Sequence, residues 1–98
     1  MQMEIYTIRH KGLSRLIEND DTRGLRQDMI NRIRNIITAI VVAESLPDFI
    51  DAAPMGWRVH QLTGDRQDQW SVSVSGNWRI TFYEDNAGLR DLDLEDYH

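Results

Sequence analysis

Hydrophobic and polar positions change their period once along the chain, and the change divides it into a helical half and a stranded half. Residues 3–8, MEIYTI, read as a short strand. In HKGLSRLIEN the apolar Leu13, Leu16 and Ile17 recur at helical spacing, and a polar break, NDDTRG, follows with several side chains suited to capping a helix. From Leu25 a stripe of Leu25, Met29, Ile33, Ile36 and Ile40, widened by Ile30, Ile37 and Val41, leaves Arg26, Asp28, Asn31, Arg32, Arg34 and Asn35 elsewhere. That pattern predicts an amphipathic helix ending before Pro47. LPDFIDAAPMG, which holds both prolines, is expected to be a loop.

From Trp57 the period falls to two. In WRVHQL, Trp57 and Val59 fall on one face and Arg58 and His60 on the other. After the TGDRQD turn, Trp70, Val72 and Val74 alternate with Ser71, Ser73 and Ser75. After Gly76-Asn77, a hairpin signal, Trp78, Ile80 and Phe82 alternate with Arg79, Thr81 and Tyr83. EDNAG marks a second hairpin, and the last strand alternates Leu92 and Leu94 with Asp91, Asp93 and Glu95. The predicted class is α+β in the order β-α-α-β-β-β, a largely antiparallel sheet packed against two helices. If the helices cover the apolar face, the solvated face presents Arg58, His60, the serines, Arg79, Thr81 and Tyr83 together. Tyr97 continues the outward phase of Asp93 and Glu95, whereas Asp96 and His98 fall on the other phase of an ideal strand.

A length of 98 residues predicts one domain spanning 1–98, and 41% hydrophobic residues with three Trp suffice for a modest core. With no cysteine, disulfides and thiolate metal sites are excluded. The start MQMEIYTIRHKGL carries charge from Glu4 onward and no long apolar run, so neither a signal peptide nor a membrane span is expected and the default location is cytoplasmic. The net charge of -5 argues against a polyanionic partner until its distribution is read. Residues 1–83 balance ten Lys+Arg against ten Asp+Glu, while residues 84–98 hold six acids against Arg90. Ten of the eleven cations are Arg, suited to bidentate contact with phosphate, so a nucleic-acid site on part of the surface remains open although steering by the whole molecule is weak or adverse.

Candidate chemistry narrows quickly. His10, His60 and His98 have no ligand-type spacing, and the chain has neither a phosphate-cradling glycine loop nor a G-x-S-x-G elbow. Acid-base chemistry remains, with His60, His98, Asp96, Tyr97 and Arg79 as candidates. Each also has a structural role open to it: His60 as a hydrogen-bonded surface residue, Arg79 as the cross-strand partner of an acid, Tyr97 as a sheet-edge cap, and Gly64-Asp65-Arg66 as turn chemistry. Spacing alone favours those structural roles.

Three segments in fixed order change the balance: HKGL near the start, VHQLTGDRQDQWSVSVSGNWRITF in the middle and EDYH at the end. Together they resemble the HigB-type toxins of bacterial toxin-antitoxin systems, within the RelE/ParE superfamily, over essentially the whole chain. The resemblance implies a compact RelE-like fold and a ribosome-dependent endoribonuclease that enters the decoding site and cuts translated mRNA without metal or cofactor. In such a reaction the ribose 2′-hydroxyl attacks the adjacent phosphorus, which requires a base, an acid and positive charge on the phosphorane. By motif, His60 corresponds to the family's strand histidine and Asp96, Tyr97 and His98 to its terminal triplet. The resemblance assigns His98 proton transfer, Asp96 orientation of an imidazole or the 2′-hydroxyl, Tyr97 stacking or positioning, His60 a supporting proton or hydrogen-bond role and Arg79 the phosphate. Arg58, Arg66 and Thr63 are the further expected RNA contacts.

One position departs from the family. Members often read H-P-L-K-G-D-R, and here HQLTGDR puts Thr63 in place of the lysine. A hydroxyl cannot replace an ammonium against a phosphorane, so either Arg66 or Arg79 compensates or this chain is a weaker nuclease. The resemblance also implies a HigA-like helix-turn-helix antitoxin, through which alone the toxin would reach operator DNA. A second reading keeps the fold and drops the nuclease: a binding protein that grips a protein target, as ParE-type relatives act on DNA gyrase, or serves as corepressor with its antitoxin.

Overall fold

The structure, a computed structural model, describes residues 3–85 and 88–96. Its first helix, α1 (Lys11–Asn19), starts where the His10 ring accepts the Leu13 backbone N–H at 3.2 Å and stops at Asp20, whose left-handed backbone ends the winding. The long stripe forms a 3-10 turn over Gln27–Met29 running into α2 (Ile30–Val42), which buries Ile30, Ile33, Ile36 and Ile40. Val41, counted with that stripe, is exposed.

The loop expected around Pro47 is instead a third helix, α3 (Leu46–Ala52). Proline is no obstacle in a first turn, where its missing N–H would have had no helical partner, and the Ser45 hydroxyl caps the turn by accepting the Asp48 N–H at 3.3 Å. The helix turns Leu46 and Phe49 into the core, and Phe49 meets Trp57 with ring centroids 6.2 Å apart.

Among the described residues five strands form one sheet: β1 (Glu4–Ile5), β2 (His60–Gln61), β3 (Gln69–Ser75), β4 (Trp78–Asp85) and β5 (Gly88–Asp96), in the order β1-β5-β4-β3-β2. All neighbours are antiparallel except β1 and β5. The α+β class and mostly antiparallel sheet are as the periodicity predicts, with an additional helix and with the four alternating runs after the helices each giving a strand, one more than the order β-α-α-β-β-β counts. The strand expected from Trp57 shrinks to His60–Gln61, because Trp57 is buried in a 3-10 turn over Met55–Trp57 and Arg58 takes a left-handed conformation.

Two irregularities tune the sheet. Leu89 and Leu92, three apart, both lie in the core because the register of β4 on β5 shifts and Asp91 adopts φ 54°. The Thr7 hydroxyl accepts the Asp91 N–H at 2.8 Å and donates to its carboxylate at 3.1 Å, which holds that bulge against the segment that follows β1. A second shift lies between Ser73 and Ser75, where the Ser73 carbonyl accepts Arg32 Nη1 of α2 at 3.2 Å. β1 can approach β5 only because Gly88 lacks a side chain: a Cβ there would stand 2.2 Å from the Glu4 carbonyl oxygen. Among the described residues no helix is long and apolar enough to cross a membrane.

Candidate active site

Cross-strand register places the polar candidates in rows. His60 pairs with Ser71, Ser71 with Thr81 and Thr81 with Asp93; one row along, Ser73 pairs with Arg79 and Arg79 with Glu95. Paired residues share a face and so do positions two apart, so His60 and Arg79 lie on the same face of the sheet, opposite Val72, Ile80 and Leu94. This face is less open than expected, since Ser71 and Thr81 are buried. Thr81 is closed over by Glu95, to which its hydroxyl donates, and by Arg66 on the same carboxylate.

His60 is exposed, yet its ring is pinned. Nδ1 lies 2.6 Å from the Arg58 carbonyl oxygen, which can only accept, so Nδ1 carries the hydrogen. In the neutral ring this leaves Nε2 with the lone pair, free to take a proton, and in the charged ring it leaves Nε2 as the group that delivers one. The fixation comes from the chain: buried Trp57 anchors the strand entry, and the left-handed turn at Arg58 (φ 49°, ψ 53°) precedes β2. Arg58 itself is exposed and lines a shallow depression of about 240 Å³ with Ile50, Ala53, Pro54, Met55 and Val59.

The segment between β2 and β3 is closed by Leu62 N–H donating to the Gln69 carbonyl at 2.8 Å and by Gln61 Nε2 donating to the Gln67 carbonyl at 2.6 Å. Thr63 stands exposed before the 3-10 turn over Gly64–Arg66 and makes no side-chain cap there. Arg66 swings back over the sheet: Nε donates to Gln69 Oε1 at 2.5 Å, Nη1 to Glu95 Oε1 at 2.8 Å and Nη2 to Glu95 Oε2 at 2.5 Å. Arg79, whose side chain is 12% exposed, has Nη2 3.7 Å from the same carboxylate. Two guanidiniums therefore face one carboxylate, and the Arg66 hydrogen bonds hold the Glu95 carboxyl at about 2, with Thr81 adding to the effect. Asp93 on the neighbouring row also favours the charged form of Arg66. Three arginines elsewhere meet acids: Arg23 with Asp21, Arg26 with Asp28 and Arg34 with Asp20, all at 2.8 to 2.9 Å.

His60, Arg79 and Arg66 are thus brought to one face, and Arg79 does have the acidic cross-strand partner foreseen for it. Asp96 pairs with Trp78, which puts it on the opposite phase at the end of β5, with its residue exposed. Tyr97 and His98, expected in the site, lie outside the described residues. Glu95, Thr81 and Gln69 were not singled out as site residues. The only advance signal was that Glu95 shares the outward phase of its strand, since the register that sets it against Arg79 is reached through a bulge.

Comparisons with known proteins give the family and the fold. The family of HigB-like toxins, described as RelE-like toxins of the type II toxin-antitoxin system HigB, matches residues 6–98. The chain is 36% identical over 94 residues to Endoribonuclease HigB of Proteus vulgaris, covering 96% of this chain and 99% of that one. Among solved structures it is similar in fold to a chain of the E. coli DinJ-YafQ toxin-antitoxin complex, with a TM-score of 0.62 at 14% identity over 98% of this chain and 93% of that chain.

Proposed function

This chain belongs to the HigB-like family of RelE-like toxins of type II toxin-antitoxin systems, and on that premise we propose that it is an endoribonuclease that cuts translated mRNA on the ribosome. The observation that carries the reading is the placement of His60, its Nδ1 held by the Arg58 carbonyl, on the same sheet face as Arg79. A proton-transfer group and a cation set on one rigid surface are what transesterification of RNA requires.

In the proposed reaction a base removes the 2′-hydroxyl proton, O2′ bonds to the adjacent phosphorus, and the bond from phosphorus to O5′ breaks as an acid delivers a proton to O5′. The products are a 2′,3′-cyclic phosphate and a 5′-hydroxyl. His60 Nε2 and His98 exchange the protons, Arg79 neutralises charge on the phosphorane, Asp96 orients an imidazole or the 2′-hydroxyl, and Tyr97 stacks on or positions a base. Arg58 and Thr63 border the RNA path. Arg66, whose guanidinium donates in three directions to Gln69 and Glu95, leaves Arg79 as the cation for the phosphorane in place of the lysine absent at position 63.

The proposed setting is the cytoplasm, where the substrate is presented at the small-subunit decoding site. The proposed partner is a HigA-like helix-turn-helix antitoxin, which alone would bring the toxin to operator DNA. Primer extension on a reporter message in a reconstituted translation reaction tests the reading, with the parent compared to His60→Ala and His98→Ala. Defined cuts from the parent are expected, with each variant slower by about 10²- to 10⁴-fold, the range for losing a positioned acid or base. No cuts by folded parent on active ribosomes would favour instead the protein-gripping or corepressor role.

A further inference from the structure

The polar sheet face carries a carboxylate to which neither spacing nor resemblance assigned a role. Glu95 stands directly across the ladder from Arg79 and accepts both terminal groups of Arg66 and the hydroxyl of Thr81. Arg66 comes from 29 residues earlier in the chain, and its Nε is held by Gln69, a buried side chain. Three protein donors therefore fix Glu95, and three acceptor contacts fix Arg66. Arg79 meets the same carboxylate at 3.7 Å, an ion-pair distance longer than a hydrogen bond.

Glu95 has three roles open to it. As a general base it would be poor, since the Arg66 hydrogen bonds keep its carboxyl near 2. As an anion competing with the RNA phosphate it would have to release Arg66 and Thr81 together. As a brace it needs no movement, and a fixed anion beside a guanidinium sets where that guanidinium sits. We propose that Glu95 is a positioning residue: held by Arg66 and Thr81, it keeps the Arg79 guanidinium where the phosphate undergoing cleavage will meet it, an assignment that rests on the nuclease reading above. Arg66 then acts through Glu95 as part of the brace, and its charge reaches the RNA only indirectly.

A kinetic double-mutant cycle tests this, using single-turnover cleavage of message on ribosomes by the full chain, Glu95→Gln, Arg79→Lys and the double variant, with Glu95→Asp as the conservative control. The expected result for Glu95→Gln is a kcat lower by roughly tenfold or more with KM within about twofold, because the lost interaction matters mainly in the transition state. In the Arg79→Lys background the same change is expected to cost less than about twofold, since residues acting as one unit are non-additive. Glu95→Asp should recover part of the rate. Thr81→Val, which removes one brace and keeps the branched shape, should move kcat in the same direction by less, and it carries the test if Glu95→Gln fails to fold. The Arg79 Nε–H resonance gives a reading without RNA: it should be distinct in the parent and broadened or shifted toward free arginine in Glu95→Gln.

Equal losses in both Arg79 backgrounds would overturn the proposal by showing that Glu95 acts elsewhere. A lower KM with unchanged kcat would overturn it in favour of a competing anion. A parent chain that cuts nothing while its Arg79 resonance responds to Glu95→Gln would remove the nuclease reading, and this assignment with it, while leaving the brace as a structural fact.

Discussion

At the scale of single residues, the site is governed by what holds each polar group. His60 is oriented by a backbone carbonyl, so its tautomer follows from chemistry: a carbonyl offers no hydrogen, and in the neutral ring Nε2 keeps the lone pair. Glu95 is oriented by charge, and that has a consequence for stability. Its carboxyl sits at about 2 in the folded chain against an ordinary 4.5, so folding favours the ionised form. The stabilisation is complete above pH 4.5, where the unfolded chain is ionised as well, and it is lost as pH falls from 4.5 toward 2, because the unfolded chain then takes the proton first. Urea unfolding at pH 6 and pH 3 should show the parent losing more stability than Glu95→Gln. The difference is expected to be roughly 1 kcal/mol, since the half-buried pair is partly screened by solvent.

At the scale of elements, α3 decides how the chain enters the site. The prolines suggested a loop because proline interrupts helix interiors, but Pro47 follows a serine cap and lies in the first turn, where its fixed φ suits the helix. Ser45→Ala removes the acceptor for the Asp48 N–H and is expected to cost about 1 kcal/mol in denaturant unfolding. Because Phe49 of α3 packs on Trp57 and Trp57 precedes the turn that aims His60, fraying of α3 should also appear as faster hydrogen exchange in residues 57–61. The α2 stripe was legible because four of its isoleucines face one core at helical spacing. The strand predicted from Trp57 begins only at His60, because Trp57 and Val59 on either side of a left-handed turn imitate strand alternation in sequence.

At the scale of the whole molecule, a chain with net charge -5 has to meet RNA through a small local patch. Most of the other paired arginines are neutralised by nearby acids, and Arg66 is enclosed by Gln69 and Glu95. If Arg58 and Arg79 are the two phosphate contacts, as proposed, affinity for free single-stranded RNA should fall with salt at a log-log slope of about -1.4, and a filter-binding titration across salt concentration checks it. A much steeper slope would mean that more cations reach the backbone. Weak binding of free RNA is what the proposed reliance on the ribosome to present the substrate predicts.

The sequence by itself determined the α+β class, the long amphipathic helix, the central hairpin and the outward phase shared by His60, Arg79 and Glu95. Those follow from local period and turn chemistry, which act over a few residues. Its motifs also carried the resemblance to the HigB-type toxins. Only the tertiary structure decided that Arg58 turns its carbonyl onto His60, that the bulge at Asp91 sets Glu95 against Arg79, and that Arg66 folds back onto that carboxylate from 29 residues away. Such contacts depend on register and on where a buried anchor such as Trp57 leaves the backbone, and neither is encoded in the spacing of polar and apolar side chains.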